Sequence, residues 1–495
     1  MFVQGEEHLR YGREQQAIPL FQAVAAEWKR FGIEHTADAT DYALGYAKFM
    51  EALATHLGKN RFAAIRLYNE VMDIYQDYPE IKAEALYWRG RAFFDNSDLS
   101  KGVADWHELA DDPELMGNPL ASAAMNNLAE DAWNKGKWED AMRYWKRACD
   151  NSPTVAVDFE NDTKPAFRYI RVCSYLGRWN DMTAYFEDLP VDLNRQTALM
   201  SHFITQTWYW TLQHRYWLDY FRRTTKSETE AIEKSRKYML DLTKWYEEQE
   251  PKFAEVSEAR RWENIMNVVL YRAVLAPKES KDYMTRIAAE VRAIPNKELR
   301  LQRIVSMIDR LGQGKMVTEG RTMLELIENP QDRMWQAGVL EDRAENYKEA
   351  ANYFTQLMKD PDVELAARAR WYYAEMCRYR SGDWETAIKL YQECNNPPHN
   401  LWALSEVYRR AGKKKEAQTV LSEIVAMFPD HAAMAMFRKG EYFEQDGQRS
   451  DAVGAYRKII TNPEWKKSNE ASRASQILDQ WGEKIGEGAL VNQVR

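Results

Sequence analysis

Residues Ser122–Pro153 read SAAMNNLAEDAWNKGKWEDAMRYWKRACDNSP, and the spacing within this stretch decides the fold. One helix, a tight turn at Gly136 and a second helix stopped by Pro153 account for it. Leu128 and Ala129 lie on the first helix. Ala141 follows Ala129 by twelve residues, Trp145 by sixteen and Ala148 by nineteen. Two small residues let the helices cross closely, and the large residue one turn after the second fills the gap toward the next unit. Gly136 permits the short turn, with Trp138 packing beneath it.

The same frame fits elsewhere in the chain. Gly90, Gly102, Trp106 and Leu109 form one unit before Pro113. Gly338, Ala350, Phe354 and Leu357 precede Pro361, and Ser405, Ala417, Leu421 and Ile424 precede Pro429. Gly440, Ala452, Tyr456 and Ile459 end near Pro463. Weaker copies are Ala52, Ala64, Tyr68 and Val71 before Pro79, and the turn Gly177-Arg178-Trp179 leading to Met182 and Phe186. Gly5, Ala17, Phe21 and Val24 keep the spacing in what reads as a truncated first unit. In Trp371–Cys394 the turn at Gly382 and Ala387 match, with the first helix displaced by one residue.

This pattern resembles the tetratricopeptide repeat, which has a small residue in its first helix, an alanine and a large residue in its second, and a proline at its end. The resemblance covers about three quarters of the chain. It implies an all-α, right-handed α-α superhelix, a solenoid of antiparallel helix pairs, that binds a protein or peptide partner in a concave groove lined by the first helices. The second-helix positions Ala64, Gly102, Ala141 and Met182 recur at intervals of 38, 39 and 41 residues. Ala350, Ala387, Ala417 and Ala452 give 37, 30 and 35, against about 34 in a regular family member. Uneven intervals imply uneven helices.

Four sections are expected: repeats over 1–193, an irregular section with longer helices over 194–330, further repeats with a terminal capping helix over 331–482, and a tail over 483–495. The middle fits the frame poorly, yet Ser227-Glu228-Thr229-Glu230 is a capping-box signature. One continuous solenoid is the expected arrangement. Ser468 is expected to cap the last helix, through Ala471, Ala474, Leu478 and Trp481, which covers the open face of the array.

Composition agrees with helix. The 495 residues include only 22 glycines and 16 prolines, while aromatic residues make up 13%. Acidic residues outnumber basic ones 76 to 68, for a net charge of −8, which argues against nucleic acid as the main partner. No run of about 18 apolar residues marks a transmembrane helix. No leader is visible, and compartment stays open, with a lean to the bacterial cell envelope by analogy. Four cysteines without a CxxC pair give zinc no support. They read as small seam residues, with disulfides Cys149–Cys173 or Cys377–Cys394 as the alternative.

Carried over from the resemblance, the groove candidates are Tyr87, Arg91, Asn126, Glu130, Trp133, Arg168 and Arg171 in the first arm. In the second they are Trp335, Trp402, Glu406, Arg409 and Arg410. Aromatic rings beside arginines suit an extended peptide or a helix with an acidic face. The lysine/asparagine clamp for a C-terminal carboxylate known in the family is not reproduced. Trp208 through Phe221 is the densest aromatic stretch, read as a helix buried on two sides rather than a stacking platform for sugars. Lys413–Lys415 is read as charge favourable to a helix end. Histidines are scattered, and neither a nucleophile elbow nor a phosphate loop is present. No catalytic residue, cofactor or metal is expected. The expected function is a non-catalytic interaction scaffold. The alternatives are a cell-envelope glycan- or peptidoglycan-binding protein and a helical-toroid carbohydrate-active enzyme.

Overall fold

A computed structural model describes residues 1–34, 38–75, 77–158, 161, 163–209 and 216–483. Among these every regular element is a helix, and the chain divides into two compact units, residues 1–268 and 269–495. Within each unit neighbouring helices pair off. Pro119–Asn134 with Trp138–Asn151 and Pro330–Arg343 with Tyr347–Leu357 are representative.

The pairing follows from the sixteen-residue rule. A Cβ on Gly90 would meet the Trp106 ring at 2.5 Å, one on Gly338 the Phe354 ring at 2.8 Å, and one on Gly440 the Tyr456 ring at 2.5 Å. Gly5 stands in the same way against Phe21, at 2.8 Å. Each small residue is thus the seat of a large ring from its partner helix. The second small residue sets the closest approach of the two backbones. At Gly102 an added Cβ would lie 2.7 Å from the Gly90 carbonyl oxygen. Ala129, Ala141, Ala350, Ala417 and Ala452 are all fully buried.

Turns and caps also follow from the sequence. Gly136 takes φ +74°, Gly136 N–H donates to the Trp133 carbonyl, and Lys137 N–H donates to Ala132 at 2.9 Å, closing a Schellman turn. Gly177, Gly412 and Gly447 repeat it. Pro119, Pro330 and Pro429 open first helices, where no N–H is needed. The Asn118 side chain caps its helix at Leu120 N–H.

In the middle of the chain, Ser227 caps Glu228–Glu248 by accepting from Glu230 N–H at 3.2 Å. The Glu230 carboxylate returns to Lys226 N–H, one residue earlier than the standard box. Helices Glu228–Glu248 and Glu258–Leu275 have 21 and 18 residues, whereas the pair Pro119–Asn134 and Trp138–Asn151 has 16 and 14. Ser468 caps Asn469–Gln480 at Ala471 N–H, with Ala474 and Leu478 buried. The expected tail from residue 484 onward lies outside the described residues.

The one-residue displacement at Trp371 has a physical cause. Helix Val363–Met376 runs into a π-helical turn, Cys377–Ser381, before Gly382 reverses the chain at φ +72°. A π turn takes up one more residue than an α turn, so the frame slips there. All four cysteines are free thiols, and burial pushes Cys149, Cys173 and Cys377 up to about 12.

Candidate functional site

In the first unit the nominated residues sit on the first helices of three successive pairs: Pro79–Asp95, Pro119–Asn134 and Pro165–Tyr175. Trp133 occupies the last turn of the second of these. Its ring meets Trp138 edge-on at 4.5 Å and stacks on Tyr220 at 5.7 Å, while Tyr175 stacks on Tyr220 at 4.9 Å. Each such aromatic pair adds about 0.5–1.5 kcal/mol beyond its buried area. Trp133 and Tyr175 wall a concavity of about 350 Å³, which Glu130, Arg168, Arg171 and Thr163 close on its polar side.

A relay fixes that polar side. Trp145 Nε1 donates to Asn126 Oδ1 at 3.0 Å, Asn126 Nδ2 to Glu130 Oε1 at 3.2 Å, and Arg168 Nη1 to the same oxygen at 2.5 Å. Arg168 also lies over the Trp145 ring at 5.8 Å, and Arg171 over Phe167 at 5.0 Å. Side chains held by one another lose little rotamer freedom when a ligand arrives. Tyr87 and Arg91 do not line this concavity. The Tyr87 carbonyl accepts from Trp106 Nε1, and Arg91 covers Phe94 at 5.9 Å.

In the second unit the nominated residues separate. Trp335 packs on Phe354 and Tyr372 at 5.7 and 5.5 Å, under the Arg368 guanidinium at 4.2 Å. Trp402 and Glu406 line a different hollow, of about 470 Å³. Arg409 pairs with Asp446 at 2.6 Å and covers Tyr442, while Arg410 pairs with Glu406 at 2.8 Å. The charges nominated in this arm are therefore engaged with residues of this chain. Sequence reasoning missed Arg378, Arg438 and Tyr442, which share the hollow. The slipped frame at Trp371 was the available signal for Arg378.

Lys414 and Lys415 open the helix Lys414–Met427, the end where positive charge is unfavourable. That corrects the helix-end reading. Lys413 pairs with Glu385 and Lys414 with Asp446, both at 2.7 Å, which offsets the cost. In the aromatic stretch, Trp210, Leu212 and the nearby His214 lie outside the described residues, as do the side chains of Tyr209, Tyr216 and Trp217. Tyr220 and Phe221 are buried, against Trp133, Tyr175 and Tyr238. Their place is in the core.

Among the described residues no group of three or more His, Cys, Asp or Glu could hold a metal ion. No described helix is long and apolar enough to cross a membrane.

Helix pairs locked by a small residue under a large ring define an all-α helical-repeat protein. Residues 89–156, 336–397 and 403–465 match the sequence model of the tetratricopeptide repeat. Those three stretches are tetratricopeptide repeats. Among solved structures it is similar to Naa15/Naa10 bound to HypK-THB, at 10% identity and a TM-score of 0.33, over 97% of this chain and 70% of that one. It is also similar to yeast Tom70, at 11% identity and a TM-score of 0.26, over 97% of this chain and 95% of that one. Similarity at that level carries no site or partner across. No curated protein matches the chain.

Proposed function

We propose that the chain is a non-catalytic protein-interaction scaffold, and that it grips a segment of a protein partner at the concavity beside Trp133. The observation that carries this reading is the relay Trp145–Asn126–Glu130–Arg168, which holds a charged rim against an aromatic wall on successive first helices. An aromatic or long apolar side chain would enter against Trp133 and Tyr175. A carboxylate beside it would meet Arg168, drawing the arginine from Glu130, whose own side chain is 43% exposed and can return to water. Tryptophan, tyrosine and arginine are the residues that dominate interface energetics.

A peptide library displayed on phage and selected on the full chain tests the reading. Enriched peptides should lose about tenfold or more in affinity for Arg168→Ala, whose thermal transition should stay close to the parent because the pair is partly solvated. Selected peptides that bind Arg168→Ala and Trp133→Phe as tightly as the parent would place the interaction elsewhere.

A further inference from the structure

The hollow in the second unit lies where the repeat pattern breaks. π turns are rare and recur at functional sites. Here the turn leaves Tyr379 half-exposed and carries Arg378 inward, where it is only 9% exposed. Arg378 binds Glu375 at 3.3 Å and also Glu406. Burial works against its charge, but the Tyr391 hydroxyl and the Glu406 carboxylate outweigh it and hold the guanidinium above its ordinary pKa.

Two donors at this hollow have no acceptor among the described residues. They are Arg378 Nε and, on the facing helix His399–Arg410, Trp402 Nε1; both atoms are buried. A buried donor without an acceptor is destabilising, and such a group in a native fold calls for an explanation. Arg438 also lines the hollow, half-exposed and paired along its own helix with Glu441 at 3.0 Å. The Trp371, Trp402 and Tyr442 rings supply apolar walls. Glu406 is the one carboxylate in the lining, and Arg378 and Arg410 already engage it. Within the lining itself two arginines, Arg378 and Arg438, stand against one carboxylate, and the volume suits a small ligand or one long side chain.

We propose that this hollow is a binding site for a carboxylate carried on an apolar stem. The stem lies between the Trp371, Trp402 and Tyr442 rings, and the carboxylate meets Arg438 and, after a small turn of the indole, Trp402 Nε1. An acidic side chain of a partner protein and a free organic acid share this chemistry. The site is separate from the concavity beside Trp133, so either can fail without the other.

Calorimetry on the full chain with 3-phenylpropionate, with the neutral 3-phenylpropanamide, and with the blocked tripeptide acetyl-Phe-Glu-Leu-amide tests the assignment. The carboxylate should bind about tenfold tighter than the amide. Arg438→Gln, at an exposed position, and Trp402→Phe, which keeps the ring but removes the donor, should each weaken it by about fivefold or more. Arg168→Ala should leave it unchanged. Tighter binding of the tripeptide identifies a partner's side chain as the source, and tighter binding of the simple acid a free metabolite. Equal binding of acid and amide, or no heat from either carboxylate at about 10 mM, overturns the proposal.

Discussion

Arg380 Nε donates to Asp342 Oδ1 at 2.7 Å across 38 residues of sequence, and the Asp342 side chain is wholly buried. Tyr372 donates to the other carboxylate oxygen at 2.9 Å. The first unit repeats the device at the same separation, between Glu130 and Arg168. Successive first helices are therefore joined by a charged hydrogen bond as well as by apolar packing.

Removing one partner of the buried pair leaves a carboxylate that Tyr372 alone cannot satisfy. Arg380→Met should destabilise the second unit by about 3 kcal/mol, whereas Arg168→Ala, beside a half-exposed Glu130, should cost under about 1 kcal/mol. Urea unfolding of the two variants checks this, and equal losses would mean that burial does not set the difference.

Glycine-to-alanine substitutions should change sign with position. In an ordinary helix interior the exchange gains about 0.5–1 kcal/mol. Gly454→Ala should do so, since a Cβ there meets nothing within 4 Å. Gly102→Ala should instead destabilise by about 1–3 kcal/mol, because its Cβ would lie 2.7 Å from the immobile Gly90 carbonyl. Paired melting curves decide the matter; a stabilising Gly102→Ala would show that the helix crossing is misplaced.

His56 should make the first unit acid-sensitive. Its ring is wedged between Tyr68 and Trp88, with Nε2 at 3.2 Å from Asp95. Burial lowers its pKa more than the hydrogen bond and charge of Asp95 raise it, and Arg91 and Arg61 add to the lowering. The contact with Asp95 is therefore a neutral hydrogen bond at neutral pH. The unfolded chain takes up the proton more readily, so stability is full above about pH 6.5 and declines as pH falls below it. Denaturant midpoints at pH 7.5 and 5.5 should differ less in His56→Gln than in the parent.

The thiolate is the reactive form of cysteine. With Cys149, Cys173 and Cys377 pushed up to about 12, native protein at mildly alkaline pH should resist iodoacetamide at these positions. All four should alkylate once unfolded. Cys394, half-buried and raised to about 11, should react first as the pH is raised. Mass spectrometry of peptides gives the order, and early labelling of Cys173 would contradict its burial.

The fold was legible because a local rule writes it. Gly90 with Trp106 and Gly440 with Tyr456 stand sixteen residues apart, and each pair is a helix crossing. The slipped frame at Trp371 likewise registered the π turn before Gly382. The candidate site was legible only in part. Spacing put Trp133, Glu130 and Arg168 on first helices, but not that Arg168 reaches back 38 residues to Glu130, or that Tyr220 arrives from a distant helix to stack on Trp133. Ring stacking and ion pairing across helices depend on interhelical distances that a repeat frame does not encode. The same holds for Glu406, whose partner Arg378 sits in the turn that breaks the frame.

The most direct measurement is ¹⁹F NMR of the full chain labelled with 5-fluorotryptophan, with resonances assigned by single Trp→Phe variants, during titration with a peptide selected on the parent protein. Trp138 and Trp145 both pack against Trp133, and the three should move together as the peptide saturates. A peptide that saturates the protein while those three resonances stay in place would contradict partner binding at this concavity.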